Sequence, residues 1–258
     1  MTANWKPDGW DVKWRIGVLA PHADLGPESE FNAMAPADVG IHAARVPFGA
    51  MGAGGTMDPT IPLAPVRAFA EPPHVDDAVE RLAAAPIDSI GFGFTSSAYV
   101  IGADEEQAMI ERLTKRADGI PVVATGAAAV EALRAVGAKR MALIDPPWFD
   151  NELNELGRAY YEAAGFDVVF NAPCDIPSDQ KLITPEGVFD FAVKNVPGEA
   201  DAIVTGGNGF RFVGVIHALE SRLGIPVLTA NSVLFWAALR AAGAPAAAVT
   251  NYGRLFTL

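Results

Sequence analysis

The chain has 258 residues, 50% of them hydrophobic, and carries 19 Lys and Arg against 31 Asp and Glu, a net charge of −12. That length supports one large α/β domain or two lobes with cores of their own, and the hydrophobic content excludes a disordered chain. The acidic balance, with no basic face, argues against a nucleic-acid partner. The single cysteine, Cys174, excludes an intrachain disulfide and fits a reducing compartment. No Cys/His spacing suggests structural zinc, no apolar run approaches the ~20 residues of a membrane span, and the start has no apolar signal core, so a cytoplasmic protein is expected.

Residues 1–15 read as an N-terminal arm, with Trp5, Trp10 and Trp14 among charges, its indoles packing on the body or on a second subunit. Ile16–Ala20 is the first strand and empties into Pro21-His22-Ala23-Asp24. Pro27 opens a helix with Glu28 and Glu30 in its first turn. A second strand spans Ile41–Val46. Gly49–Pro65 is rich in Gly and Pro, and so long a loop is either a lid or a surface excursion. Val75–Ala85 and Asp104–Arg116 read as amphipathic helices.

Between those helices, Asp88-Ser89-Ile90-Gly91-Phe92 reads as a buried parallel strand running into Gly93-Phe94-Thr95-Ser96-Ser97. Asp201-Ala202-Ile203-Val204-Thr205 repeats the design and runs into Gly206-Gly207-Asn208-Gly209. A Gly-Ile-Pro-Val strand follows each, at Gly119 and at Gly224, and an Ala-Leu-Arg-Ala helix follows each strand. The fold class expected is therefore α/β: two pseudo-symmetric lobes with mainly parallel sheets, produced by internal duplication. The bounds expected are 16–138 for lobe 1, 139–244 for lobe 2 and 245–258 for a C-terminal tail. In lobe 2, Met141–Asp145 is a strand ending in Pro146-Pro147-Trp148-Phe149, and Asn151–Ala164 and Pro185–Val196 are helices. Ligands of open α/β sheets sit at the carboxyl ends of strands, so the loops after Phe92 and Thr205 should face one cleft.

That cleft would present the hydroxyls and N–H groups of Thr95 and Ser96 at a helix start, and Asn208 between glycines, including Gly207, that let backbone approach a ligand. Such a set suits a carboxylate and the enediolate formed from it. Phe94, Trp148 and Phe210 would make one side apolar, and Arg211 would offset the acidic field around an anion. His22 and Asp24 are the acid/base candidates by loop position, followed by Asp145. Each has a competing structural role: His22 and Asp24 as caps, Asp145 in a turn, Asn208 in a left-handed turn, Arg211 in a surface ion pair, Thr95 and Ser96 as helix caps. Cys174 reads as an inert small residue.

From Ile16 to Phe256 the chain resembles the aspartate/glutamate racemase superfamily, in the branch holding maleate cis-trans isomerase and arylmalonate decarboxylase. The resemblance rests on Ile16-Gly17-Val18-Leu19-Ala20-Pro21, Gly93-Phe94-Thr95-Ser96, Gly137-Ala138-Lys139-Arg140-Met141-Ala142-Leu143, Asp201–Gly209, Gly224-Ile225-Pro226-Val227 and Tyr252-Gly253-Arg254-Leu255-Phe256. It implies two lobes with a site between them, no metal or organic cofactor, and Thr95 and Ser96 as a dioxyanion hole. The superfamily's two cysteine positions fall on Phe94 and Gly207, so both catalytic thiols are expected to be missing. The reading that follows is a cofactor-independent, decarboxylase-like lyase for a small carboxylic acid or amide-like molecule. Alternatives are a hydrolase or hydratase in which His22 or Asp24 activates water, and a non-catalytic acid-binding protein. Partners expected are the small molecule alone, without nucleic acid or membrane; a homo-oligomer is left open.

Overall fold

The structure is a computed structural model and describes residue 6, residues 8–56 and residues 58–258. Trp5 of the expected arm and Met57 of the long loop lie outside the described residues. The first half runs β1 (Trp14–Pro21), α1 (Gly26–Met34), β2 (Val39–Val46), α2 (Leu63–Ala70), α3 (His74–Ala83), β3 (Ser89–Phe92), α4 (Thr95–Arg116), β4 (Val122–Ala124) and α5 (Thr125–Ala135). The second runs β5 (Arg140–Asp145), α6 (Asn151–Ala163), β6 (Asp167–Pro173), α7 (Pro185–Asn195), β7 (Ala202–Thr205), α8 (Ile216–Leu223), β8 (Val227–Thr229) and α9 (Ala230–Ala241).

The strands form two four-stranded parallel sheets with the same order, β2-β1-β3-β4 and β6-β5-β7-β8. Ile16 lies opposite Ile41 and Ser89 in the first; Leu143 lies opposite Asn171 and Val204 in the second. The central strands β3 and β7 are buried at every position, which is why their sequences show unbroken apolar runs rather than alternation. Helices cover both sheets, and the two halves interlock. Helix α9 packs on β3 and β4 of the first sheet. The Ser89 hydroxyl donates to the Ala238 carbonyl at 2.7 Å. Gly91 lets α9 approach, since a Cβ there would lie 3.1 Å from Leu234.

Three segments differ from the sequence expectations. Trp10 is 80% exposed and so does not pack on the body of its own chain, and β1 already begins at Trp14. The long loop ends inside α2, whose Pro65 falls in the first helical turn, where its missing N–H is unused. Helix α4 begins at Thr95, the helix start expected there, and continues into the Asp104–Arg116 segment as one element; Gly102 breaks it at φ +78°, so only the segment after the break carries an amphipathic pattern.

Helix α6 is capped by Asp150, whose carboxylate accepts from Leu153 N–H at 2.9 Å. Asp150→Ala is expected to lower unfolding free energy by about 1 kcal/mol in a urea titration, with the denaturant slope unchanged. No described helix is long and apolar enough to cross a membrane.

Candidate active site

The carboxyl ends of β1, β3, β5 and β7 converge on a small cavity of about 20 Å³, room for a water molecule. Its walls come from the loops after all four strands and from the long loop of lobe 1, through Met51 and Ile61. That loop is tied to the second half: Ile61 N–H donates to the Trp148 carbonyl at 3.1 Å, and the Ser178 hydroxyl to the Pro59 carbonyl at 3.1 Å.

Of the residues singled out in the sequence, Asp24, Phe94, Thr95, Ser96, Trp148, Gly207 and Asn208 line this cavity. His22 and Arg211 do not; they line a larger chamber on the far side of Asp24. His22 is exposed, and its Nδ1 accepts the Phe48 N–H at 3.2 Å, a loop-holding role. Phe94 faces the cavity and packs against Phe69 and Phe48, with ring centroids at 4.1 Å and 4.9 Å. With Trp148 and Phe149, both buried, it makes one side of the cavity apolar.

The opposite side is polar. Thr95 does not offer free donors, as the sequence suggested: its N–H and hydroxyl both donate to Asn208 Oδ1, at 2.8 Å and 2.7 Å. The Asn208 amide thus caps α4 from across the cleft. Ser96, one residue on, keeps its hydroxyl free: among the described residues none accepts a hydrogen bond from it. Asn208 is itself held. Its Nδ2 donates to Asn231 Oδ1 at 2.9 Å, and Asn231 Nδ2 donates back to the Asn208 carbonyl at 2.8 Å and to Glu30 Oε2 at 2.7 Å. Glu30 Oε1 accepts the N–H groups of Phe212 and Val213 at 2.9 Å and 3.0 Å. A carboxylate on α1 therefore fixes both ends of the loop that follows β7. Burial pushes the Glu30 carboxyl up to about 7, against these donors, which pull it down.

Asp24 is 3% exposed, and its Oδ1 accepts from Gly26 N–H at 2.8 Å and Gln180 Nε2 at 3.1 Å. Burial raises its carboxyl above the ordinary range; the two donors and Arg45 act the other way. Arg45 donates to the Asp24 carbonyl and pairs with Glu28. Behind the β7 loop, Asp145 is fully buried, with Oδ2 accepting from Asn154 at 2.8 Å. Its Oδ1, Tyr99 Oη and Tyr161 Oη have no hydrogen-bond partner among the described residues. Burial pushes the Asp145 carboxyl up to about 7. Cys174 lies outside the cavity lining, and burial pushes its thiol up to about 12. No cluster of three or more His, Cys, Asp or Glu fit for a metal occurs among the described residues.

A family model described as arylmalonate decarboxylase matches residues 71–256, well over half of the chain. The chain belongs to the arylmalonate decarboxylase family. The arylmalonate decarboxylase of Bordetella bronchiseptica is 27% identical over 182 residues, covering 69% of this chain and 73% of that protein. The maleate isomerase of Nocardia farcinica (strain IFM 10152) is 27% identical over 252 residues, covering 93% of this chain and 94% of that protein. Among solved structures, an alanine variant of the Pseudomonas putida S16 maleate isomerase with maleate superposes at a TM-score of 0.83, with 22% identity over 95% of this chain and 97% of that one. This last likeness concerns the fold, which is the two-lobe fold of the branch holding both enzymes. Within the family, sequence reasoning missed Glu30, Asn231 and Gln180 as site-building residues. Their partners are distant in the chain, Glu30 and Asn231 being 201 residues apart, so no local pattern marks them.

Proposed function

We propose that the protein is a cofactor-independent lyase that decarboxylates a small malonate-type acid at the inner cavity. The observation that carries the reading is the pairing of a free Ser96 hydroxyl at the start of α4 with an apolar wall of Phe94, Trp148 and Phe149 and a buried Asp24 carboxyl of raised pKa. Family membership supports the same class of chemistry.

In this reading one carboxylate of the substrate lies against Ser96 and the helix start, where donors and the helix dipole favour negative charge. The other lies against the aromatic wall, where it is poorly solvated and breaks away as CO₂. The electron pair of the broken C–C bond moves into the retained carboxylate, giving an enediolate held by the same donors. Asp24 then delivers its proton to the carbon and is reprotonated from water, leaving a monocarboxylic acid. No thiol takes part in this reading: the positions that the resemblance assigns to the family cysteines hold Phe94 and Gly207, and Cys174 is not in the cavity wall. The cavity must open for a malonate to enter, and Met51 and Ile61 are the residues to move.

The test is CO₂ release from a panel of aryl- and alkylmalonates. Ser96→Ala is expected to lower kcat about 10²-fold with a smaller change in KM, as for loss of one transition-state donor. Asp24→Asn is expected to slow turnover at least as much and to remove the basic limb of the pH profile. Turnover that survives Asp24→Asn, or no CO₂ from any malonate, overturns the reading.

A further inference from the structure

The second chamber is far larger than the first, about 840 Å³, and opens to solvent beyond Asp24. Its floor is α1, through Ser29 and Ala33, and Val213 and Gly214 make a wall. Leu25, 68% exposed, and Tyr252 stand at its edge. A volume of this size with a mainly apolar lining and a few polar groups is the usual form of an organic-ligand site. Two cations, Lys181 and Arg211, also line it, and neither makes an ion pair among the described residues. For Arg211 that sets it apart in a chain of net charge −12, since acids outnumber bases and most other arginines are paired. The acids nearby are committed elsewhere: Glu30, which also lines the chamber, spends both oxygens on Phe212, Val213 and Asn231, and Asp24 is held by Gly26 and Gln180.

We infer that this outer chamber is a binding site for an amphipathic organic anion, its acidic head on Arg211 and Lys181 and its apolar body over Leu25, Ala33 and Val213. A single thin wall separates it from the inner cavity. Gln180 Nε2 bridges Asp24 Oδ1 and the Gly209 carbonyl, each at 3.1 Å. Gly26 and Gly209 leave no room for a side chain beside that bridge: a Cβ at Gly26 would lie 2.7 Å from the Asn208 carbonyl, and one at Gly209 would collide with Gln180. The ligand therefore sits against the far face of the residue that touches Asp24. It is either a separate molecule or the long substituent of an acid whose reacting end lies in the inner cavity.

Calorimetric titration of the intact protein with octanoate, octanol and octyltrimethylammonium tests the site, and it reads binding whether or not malonates are decarboxylated. Octanoate is expected to bind one to one and at least tenfold more tightly than either of the others. Arg211→Gln with Lys181→Gln should remove that preference and leave octanol unchanged. Ala33→Trp and Gly214→Leu should block octanoate; Ala33 is exposed, and a Cβ at Gly214 meets nothing within 4 Å, so neither variant disturbs the fold. Octylmalonate separates the two sources. Tighter binding than octanoate, lost in Ala33→Trp, identifies a substrate tail; simultaneous binding of octanoate and methylmalonate identifies a separate ligand; both support the site. Absence of octanoate binding, equal binding of all three head groups, or undiminished binding to Ala33→Trp overturns it.

Discussion

The thermal midpoint is expected to fall steadily as pH is raised from 5 to 8, and Asp145→Asn is expected to flatten that slope. Burial raises the Glu30 carboxyl from 4.5 to about 7 and the Asp145 carboxyl from 3.8 to about 7. A group whose pKa is higher in the folded state holds a proton that the unfolded chain releases. Its contribution is complete below the unfolded value, near pH 4, and is lost as pH rises through about 7. At about 1.4 kcal/mol per pH unit each group accounts for roughly 3 to 4 kcal/mol across that window. Asp24 and Glu106 shift in the same direction by burial. Asp201, lowered to about 2 by its hydrogen bond with Arg140, acts oppositely but only below pH 4. Asp145→Asn is the clean variant, because the amide oxygen can keep the Asn154 bond while its nitrogen faces the unpartnered Tyr99 hydroxyl. It should melt higher than the parent at pH 8 and close to it at pH 5. Glu30→Gln should flatten the slope too, but lower the midpoint at every pH, since its amide N–H₂ meets the Asn231 donor. A midpoint that rises from pH 5 to pH 8 contradicts the account.

The fold was legible because each lobe repeats one pattern of strand, loop and helix, and because β3 and β7 are short apolar runs that end in small residues. What escaped the sequence were the places where tertiary contact overrides local pattern. Helix α2 is hidden by Pro59, Pro62 and Pro65, which punctuate the segment as a loop although Pro65 fits a first turn. The first turns of α4 are buried all round, so no amphipathic pattern joins the helix start at Thr95 to the Asp104–Arg116 segment.

The site was legible in part for the same reason. Residues at strand ends, such as Asp24, Phe94, Ser96 and Gly207, are positioned by topology, and topology could be read. The direction of a side chain could not. Asn208 was expected to face a ligand and instead caps Thr95; His22 was expected in the cavity and instead holds Phe48 N–H from outside it. Glu30 reads as a favourable charge in the first turn of α1. Only the folded chain shows that its oxygens bond to residues 182 and 201 positions away.

Gly206→Ala is expected to be among the most damaging single substitutions in the chain, and Asp145→Ala to relieve it. A Cβ at 206 would collide with Asp145 Oδ1 and lie 3.0 Å from Tyr99 Oη. Both groups are buried, and Asp145 is tethered through Asn154 to Asn171, so neither can swing away. Overpacking at such a point costs about 3 kcal/mol. Asp145→Ala alone leaves one Asn154 proton unpaired in the interior, about 1–3 kcal/mol. In the double variant the new methyl group occupies space the carboxyl has vacated, so its destabilisation should fall short of the sum of the singles by about 2 kcal/mol. Additive effects in urea titrations would show that the two positions do not compete for space. The same competition bears on the chemistry. Residue 207 holds a left-handed φ of +73°, and a Cβ there would lie 2.6 Å from Pro146 Cγ. In either register of the β7 loop, then, a thiol side chain is shut out: at 206 by the Asp145 carboxyl, at 207 by Pro146. A side chain at either glycine is therefore opposed by the same Asp145-Pro146 turn, and the proposed proton return through Asp24 needs none from this loop.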